Sequence, residues 1–380
     1  MLTANRYFSY NKGELPIGCQ YCVRGEKVVV FATGLCPRKC YFCPVSDHKI
    51  GHDVMYANER KIEQENDLVL EADLMKAQGA GITGGDPLIK LERTTKYIKT
   101  LKMKYGQKFH VHLYTSLNLV TPSSLEQLYG AGLDEIRFHL DLESTQFWPR
   151  LELARKFPWK MGVELPLLPT KKKEIMQVLE FIKDKVDFLN LNELELADNS
   201  MSKLGEMGFK AKDEVSYAIA GSLEMGVQFI DYAQSNKYDL PIHVCTAKLK
   251  DAVQLANRIK RESKQVRKPF DIVSKEGMLT RGALYLPDLV PGFGYRKKLE
   301  SIDKKEYLRQ LEPLCNKIKE DLKLKDIEIV VDFSKPRIIL ASRLIKKNKK
   351  YFQKIGLIPA IVSEYPTADQ LEIEVELFER

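Results

Sequence analysis

The chain has 380 residues, 44% hydrophobic and 9% aromatic, enough to bury one large core or two, which excludes a disordered chain and a small stapled scaffold. Its 60 Lys and Arg against 52 Asp and Glu give a net +8, and the excess is one-sided: residues 1–230 carry 30 basic and 30 acidic groups, leaving 30 and 22 for the last 150. Seven cysteines are too few, and odd in number, for a disulfide framework, yet five of them fall between Cys19 and Cys43.

The opening MLTANRYFSYNKGELPIGC has no apolar run of the signal-peptide kind, and no stretch approaches the ~20 apolar residues of a membrane span. A cytoplasmic chain without membrane association is expected. In a reducing compartment, clustered thiols more often bind metal than pair with each other.

From Lys27 to Ser235, short β-branched runs alternate with amphipathic helical patterns. KVVVFAT (27–33) leads into the cysteine-rich segment, and a helical pattern covers 59–78. GITGG precedes a helix near 90–105, FHVHLYT a helix over 123–129, and EIRFHL a helix through Leu151. MGVELPLL precedes a helix over 171–185, and DFLNLNELEL a helical pattern over 213–235. Crossover helices are how parallel strands are joined, so six such units predict an α/β fold, a partial (β/α)6 barrel.

PIHVC (241–245) and a basic amphipathic helix over 247–267 come next. Residues 268–298, with Pro269, Pro287 and Pro291 among four glycines, read as extended chain and turns. A second, smaller α+β domain then comprises a helix near 303–322, strands DIEIVVDF and PRIILAS, a basic helix near 344–354, and strands GLIPAIV and LEIEVELF. In the last strand Leu371, Ile373, Val375 and Leu377 alternate with Glu372, Glu374 and Glu376, the period of a sheet with one wet face. The expected division is an N-terminal arm (1–25), the barrel (26–245) and a basic domain (246–380).

GLCPRKCYFCP sets Cys36, Cys40 and Cys43 in a C-x3-C-x2-C spacing directly after a strand. Thiolates select iron–sulfur clusters and zinc. Structural zinc wants four ligands, whereas three thiolates on a cubane leave one iron open. Pro37 and Pro44 keep the segment from continuing as helix. On spacing alone, a zinc loop with Cys19 or His48 as fourth ligand stays open.

The spacing, with Phe42 just before the last cysteine, resembles the radical S-adenosylmethionine (SAM) superfamily over residues 26–235. The resemblance implies a [4Fe–4S] cluster on Cys36, Cys40 and Cys43, with SAM on the fourth iron and Phe42 near its adenine. It implies reductive cleavage of SAM to a 5′-deoxyadenosyl radical that abstracts hydrogen from a substrate. It also implies a low-potential donor of the ferredoxin or flavodoxin type. Gly84-Gly85-Asp86-Pro87 looks like the family's GGEP element, whose backbone meets the SAM amino group; Asp86 stands where the family has Glu. Glycines suit such a contact because no Cβ intrudes. In YTSLN, Thr115 and Ser116 match positions the family often presents to SAM. The family's glycine-rich element near the fifth strand is not recognisable in MGVELPLLPT.

Covered parallel strands usually read as continuous apolar runs, yet Arg137, His139 and Asp141 alternate with Ile136, Phe138 and Leu140. Glu164, Asn190, Asn192 and Glu193 interrupt two further strands. Polar residues towards the C-terminal ends of barrel strands point to where substrate binds, here a polar one; an Arg137–Asp141 ion pair is the plainer reading.

Cys19 and Cys22 form a C-x2-C pair, and His243 and Cys245 lie two apart on a strand and share a face. These four residues are expected to hold zinc or a second iron–sulfur cluster. A redox-active C-x2-C, an extension of the main cluster and buried free thiols remain open. Cys315, between Leu314 and Ile318, is expected in a core.

The basic helices fit phosphate contacts or simply a solvated surface, so RNA is a candidate partner. The whole most resembles archaeal-type superfamily members related to glycyl-radical-enzyme activases such as pyruvate formate-lyase activating enzyme. Activase chemistry is not implied, since the basic domain and second cysteine pair depart from those compact enzymes. The expected function is a radical SAM enzyme acting on an unidentified polar substrate. The alternatives are RNA (tRNA) modification and, in another class, a zinc-stabilised nucleic-acid-binding protein.

Overall fold

Seven parallel strands form the centre of the first of two units, which ends at Arg258; the second begins at Ile259. The structure is a computed structural model and describes residues 3–378. In chain order the first unit contains β1 (Tyr10–Lys12), α1 (Ile17–Val23), β2 (Lys27–Phe31), β3 (Tyr56–Ala57), β4 (Arg60–Lys61), α2 (Glu65–Leu74), β5 (Gly79–Thr83), α3 (Leu91–Tyr105), β6 (His110–Ser116) and α4 (Pro122–Ala131). It continues with β7 (Glu135–His139), α5 (Leu151–Ala154), β8 (Lys160–Leu167), α6 (Lys172–Ile182), β9 (Phe188–Glu193), α7 (Ser222–Ser235) and β10 (Ile242–Cys245).

The pairing order is β1–β10–β9–β8–β7–β6–β5–β2–β3–β4, and the path does not close, so the barrel is partial. Strands β2, β5, β6, β7, β8, β9 and β10 run parallel, and β1 and β3 flank them antiparallel. PIHVC is thus a seventh parallel strand beyond the six expected. The N-terminal segment joins the same sheet through β1.

The two faces differ because side chains alternate across a strand. On one face Val28, Val30, Ile82, Val111, Leu113, Ile136, Phe138, Val163, Leu165, Leu189, Leu191 and Val244 are buried in a single core with residues of the surrounding helices. Each such side chain contributes roughly 1.5–3 kcal/mol by leaving water. The other face carries His112, Tyr114, Arg137, His139, Glu164, Asn190, Asn192, His243 and Cys245.

Local signals explain the boundaries. Thr121 caps α4 by accepting from Ser124 N, Pro122 sits in the first turn, and Gly132 ends the helix at φ 99°. The helix expected over 59–78 is shorter, because Asn58 at φ 50° turns the chain between β3 and β4, and α2 starts only after a capping box of Gln64 and Asp67. The helix expected from 213 begins at Ser222 after Gly221 at φ 81°. Residues 194–221 instead form a long segment held by the bridges Glu195↔Ala218 and Ala211↔Ile219. The basic helix after β10 comes in three pieces, α8 (Ala247–Leu249), a π-helical turn (Lys250–Leu255) and α9 (Ala256–Val266).

The second unit contains β11 (Ile272–Val273), β12 (Leu279–Tyr285), α10 (Tyr295–Ser301), α11 (Lys304–Leu322), β13 (Ile329–Asp332), β14 (Arg337–Leu340), α12 (Ser342–Lys354), β15 (Ile358–Glu364) and β16 (Glu372–Leu377). Its antiparallel sheet has the order β13–β14–β12–β15–β16, with β11 on β12. The central strand β12 lies in the stretch expected to be turns. Gly282 and Arg281 break its apolar pattern, for reasons of packing: a Cβ on Gly282 would stand 2.5 Å from Ile345 Cγ1, and Arg281 pairs with Glu364 at 3.1 Å. Cys315 is 4% exposed among Leu311, Ile318 and Ile338, a core cysteine as expected.

Candidate functional site

The cysteine segment runs between β2 and β3 without regular structure. Cys36 is exposed, Cys40 and Cys43 are half-buried, and all three are free thiols. Backbone bonds close the loop, Gly34 N donating to His52 O and Gly51 N to Gly34 O, both at 2.9 Å. Gly34 is required: a Cβ there would fall 1.6 Å from Lys49 O. At the exit of the loop the Asp53 carboxylate accepts from Arg93 (2.5 and 3.1 Å) and Thr33 Oγ1 (2.9 Å) and pairs with Lys90 (3.0 Å). The Arg93 bond, above all, holds the Asp53 carboxyl well below the usual carboxylate range.

The three sulfurs share a neighbourhood. Burial pushes the Cys36 thiol up to about 11; Asp86, Cys40 and Cys43 add to the shift, and a backbone hydrogen bond from Arg38 opposes it. Metal coordination would favour the thiolate form of such a group.

The Gly84-Gly85 turn lies on the start of this loop. Gly85 N donates to Thr33 O (2.7 Å) and Asp86 N to Leu35 O (2.8 Å). A Cβ on Gly84 would stand 2.4 Å from Thr33 O, and one on Gly85 2.2 Å from Leu35 O. Asp86, 1% exposed, accepts from Leu88 N (3.1 Å), Thr115 Oγ1 (2.7 Å), Ser116 N (3.1 Å) and Ser116 Oγ (2.7 Å). It therefore stitches the turn to the end of β6. The hydroxyls of Thr115 and Ser116, expected to face SAM, are given to Asp86.

Phe42 stacks on His139 with ring centroids 5.9 Å apart, and Tyr41 meets Phe42 edge-on at 5.1 Å. Sequence reasoning missed the cover over these rings. Asn199 Nδ2 donates to Cys43 O (3.0 Å) and Val45 O (3.1 Å), Ser200 binds Asp47, and Lys203 N donates to Tyr41 O. Leu168, Leu194, Leu204 and Ile219 pack with Tyr41 and Phe42. No motif could have shown these contacts, which join residues about 150 apart in the chain.

Beyond the rings, a transverse row of polar side chains crosses the inner face. Ser116 is in register with His139, Glu164 with Asn190, and Asn190 with His243. Glu164 accepts from Arg137 (3.0 Å), Asn190 (3.0 Å) and Asn192 (2.9 Å). Burial opposes its ionisation, but Arg137 and the two amides outweigh that and hold its pKa low. Burial, aided by Arg38, pushes His139 down to about 3, so its ring is neutral. His139 Nε2 and Asn190 Oδ1 are buried and accept or donate no hydrogen bond, while Glu193 Oε1 has only the Lys212 ammonium at 4.0 Å. The expected Arg137–Asp141 pair does not form. Arg137 binds Glu135, Glu164 and Tyr114, and Asp141 pairs with Arg38 of the cysteine loop, because the parallel register sets Glu164 rather than Asp141 beside the guanidinium.

Cys19 and Cys22 lie on α1, and His243 and Cys245 on β10. Among the described residues, no three His, Cys, Asp or Glu side chains converge tightly enough to hold a single metal ion.

Residues 30–182 match the radical SAM superfamily. Over 378 residues the chain is 36% identical to a protein of Methanocaldococcus jannaschii whose provisional name is glycyl-radical enzyme activating enzyme, covering 97% of this chain and 94% of that one. The chain belongs to the radical SAM superfamily. It is an enzyme of that family, whose members use a [4Fe–4S] cluster and SAM and need a reductant and a substrate. Solved radical SAM structures are more distant. Coproporphyrinogen III oxidase of Escherichia coli gives a TM-score of 0.37 at 11% identity over 88% of this chain and 92% of that one. Methylornithine synthase gives 0.36 at 13% over 51% and 62%. Likenesses this slight carry no argument about the site. Among the described residues no helix is long and apolar enough to cross a membrane.

Proposed function

We propose that this radical SAM enzyme holds its [4Fe–4S] cluster on Cys36, Cys40 and Cys43 and abstracts hydrogen from a polar substrate bound over the inner face of the sheet. SAM would lie along the Gly84-Gly85 backbone with its adenine near Phe42. When bound, these groups would supply the chemistry, one-electron cleavage of SAM to methionine and a 5′-deoxyadenosyl radical, with the electron coming from a low-potential donor of the ferredoxin or flavodoxin type. The chain's own residues fix and shield that site. Asp53 and Asn199 hold the loop, Asp86 holds the glycine turn, and the 194–221 segment covers Tyr41 and Phe42.

The observation that supports a polar substrate is the row of His139, Glu164 and Asn190. Its unpartnered buried atoms would cost about 1–3 kcal/mol each if nothing met them, and a hydrogen-bonding ligand would meet them. The test is anaerobic reconstitution followed by dithionite and SAM. Release of 5′-deoxyadenosine by the native protein, and none by Cys40→Ala, is expected; equal release by both would overturn the assignment.

A second reading takes a protein glycine as the hydrogen donor, and the name of the Methanocaldococcus jannaschii relative favours it. It predicts a glycyl-radical signal in a partner polypeptide after turnover.

A further inference from the structure

Three cysteines and a histidine of the first unit take no part in the cysteine loop. Helix α1 packs on β2, β5 and β6 and lays Cys19 and Cys22 one turn apart on one side. Its seat is tight: Gly18 N lies 3.4 Å from a Glu135 carboxylate oxygen, and a Cβ on Gly18 would stand 2.6 Å from His112 Nδ1. Strand β10 presents His243 and Cys245 to the same inner face, in register with Asn190 and Asn192 of β9. Asn190 of β9, beside His243 in the sheet, donates from Nδ2 to Cys19 Sγ at 3.3 Å. Cys245 lies within electrostatic reach of Cys22 and Cys19, and Lys27 within reach of both α1 thiols.

The surroundings are those of ligands. Gln254 Nε2, from the π-helical turn, donates to Cys245 Sγ at 3.7 Å, so two of the three sulfurs accept an amide hydrogen bond. Such outer bonds orient thiolates and tune the metal they hold. Lys27 beside Cys19 and Cys22, and Lys250 beside Cys245, would offset thiolate charge. His243 is 3% exposed, its ring is bonded to the backbone of Tyr10, and its Nδ1 has no partner. A histidine fixed through one nitrogen offers the other as a ligand. Cys22 and Cys245 are half-buried.

A zinc ion needs its sulfurs about 2.3 Å from one centre. Among the described residues, no three His, Cys, Asp or Glu side chains converge so closely, and that holds at Cys36, Cys40 and Cys43 as well. A cubane takes each thiolate on a different iron, so its ligands stand further apart.

We propose that Cys19, Cys22 and Cys245 hold a second iron–sulfur cluster of the [4Fe–4S] type, with His243 Nδ1 on its fourth iron. Each thiol gives up its proton on ligation, and the cluster ties α1 to the last parallel strand. The site is complete without any residue of the cysteine loop, so the two assignments fail separately.

The test is iron and acid-labile sulfide analysis of the anaerobically reconstituted full chain, with electron paramagnetic resonance after dithionite. The native protein should hold about eight irons, and the Cys36→Ala/Cys40→Ala/Cys43→Ala variant about four with a reduced-cluster signal. The Cys19→Ser/Cys22→Ser/Cys245→Ser variant should also hold about four and still release 5′-deoxyadenosine, and His243→Ala should keep the iron but shift the signal. A loop variant that melts like the native protein yet holds no iron, or holds zinc instead, would overturn the proposal. If the loop variant does not fold, the native count decides: about four irons, with the Cys19/Cys22/Cys245 variant unchanged, overturns it.

Discussion

The two thiol groups of the first unit are built in opposite ways. Cys36, Cys40 and Cys43 sit on chain without regular structure, held by contacts to residues far away in sequence: Asp53 with Arg93, and Asn199 with the carbonyls of Cys43 and Val45. Cys19, Cys22 and Cys245 sit on a helix and a strand whose own ladders and packing fix them, so they depend on the seat of α1. A loop site can adapt to a cofactor and substrate that come and go, at the cost of needing clamps. A site on regular elements is set by the fold itself.

That contrast can be broken from either side. The largest expected effect is at Arg137, 2% exposed, which neutralises both Glu135 and Glu164 beneath α1. Arg137→Ala leaves the buried Glu135 and the half-buried Glu164 without this guanidinium and should cost about 3–5 kcal/mol in urea unfolding. A cost under about 1 kcal/mol would show that the inner face is wetter than described.

Gly18→Ala comes next. Its methyl would press on His112 and Arg137, and overpacking of this kind costs roughly 1–3 kcal/mol. Iron at the α1–β10 thiols should fall while 5′-deoxyadenosine release persists; the reverse pattern would contradict the separation of the two groups.

Asp53→Asn is the matching lesion on the loop. It should lower iron retention at Cys36, Cys40 and Cys43 and SAM cleavage with it, with little change in melting, since Asp53 is partly exposed. The folded pKa of Asp53 lies below its unfolded value, so the clamp is fully present above the unfolded value and weakens as pH falls through the folded one. Iron loss should therefore begin at higher pH in the variant than in the native protein, measured by iron release on acid titration. Identical acid profiles would remove Asp53 from the account.

The smallest effect is expected in the second unit. Arg343, Lys346, Lys347, Lys349, Lys350 and Lys354 are exposed on α12, whose apolar side, with Ile345 and Phe352, is already buried. Lys346→Glu/Lys350→Glu should leave stability within about 0.5 kcal/mol. If α12 meets RNA phosphates, the variant should flatten the salt dependence of binding in a filter assay; a native salt response already flat excludes that role.

Much of this was legible in the sequence. The C-x3-C-x2-C spacing after a β-branched run, the GGDP turn after the next strand, and the alternation of Arg137 and His139 with Ile136 and Phe138 mark the loop, the turn and the polar face. Local patterns carry such features, because period and turn chemistry are properties of neighbours in sequence. What stayed hidden depends on partners distant in the chain. Asp86 reads as a ligand contact until the fold brings Thr115 and Ser116 to it. Gly282 reads as a turn until Ile345 packs over it, and the 194–221 segment reads partly as helix until Asn199 and Leu204 meet the loop.

The most direct test of the central claim compares 5′-deoxyadenosine release from SAM by the reconstituted native protein with that by Cys36→Ala, Cys40→Ala and Cys43→Ala. The account predicts a brown native protein that releases the nucleoside under dithionite and three variants that release none. A colourless native protein without release, or variants that match it, would contradict the assignment of this loop.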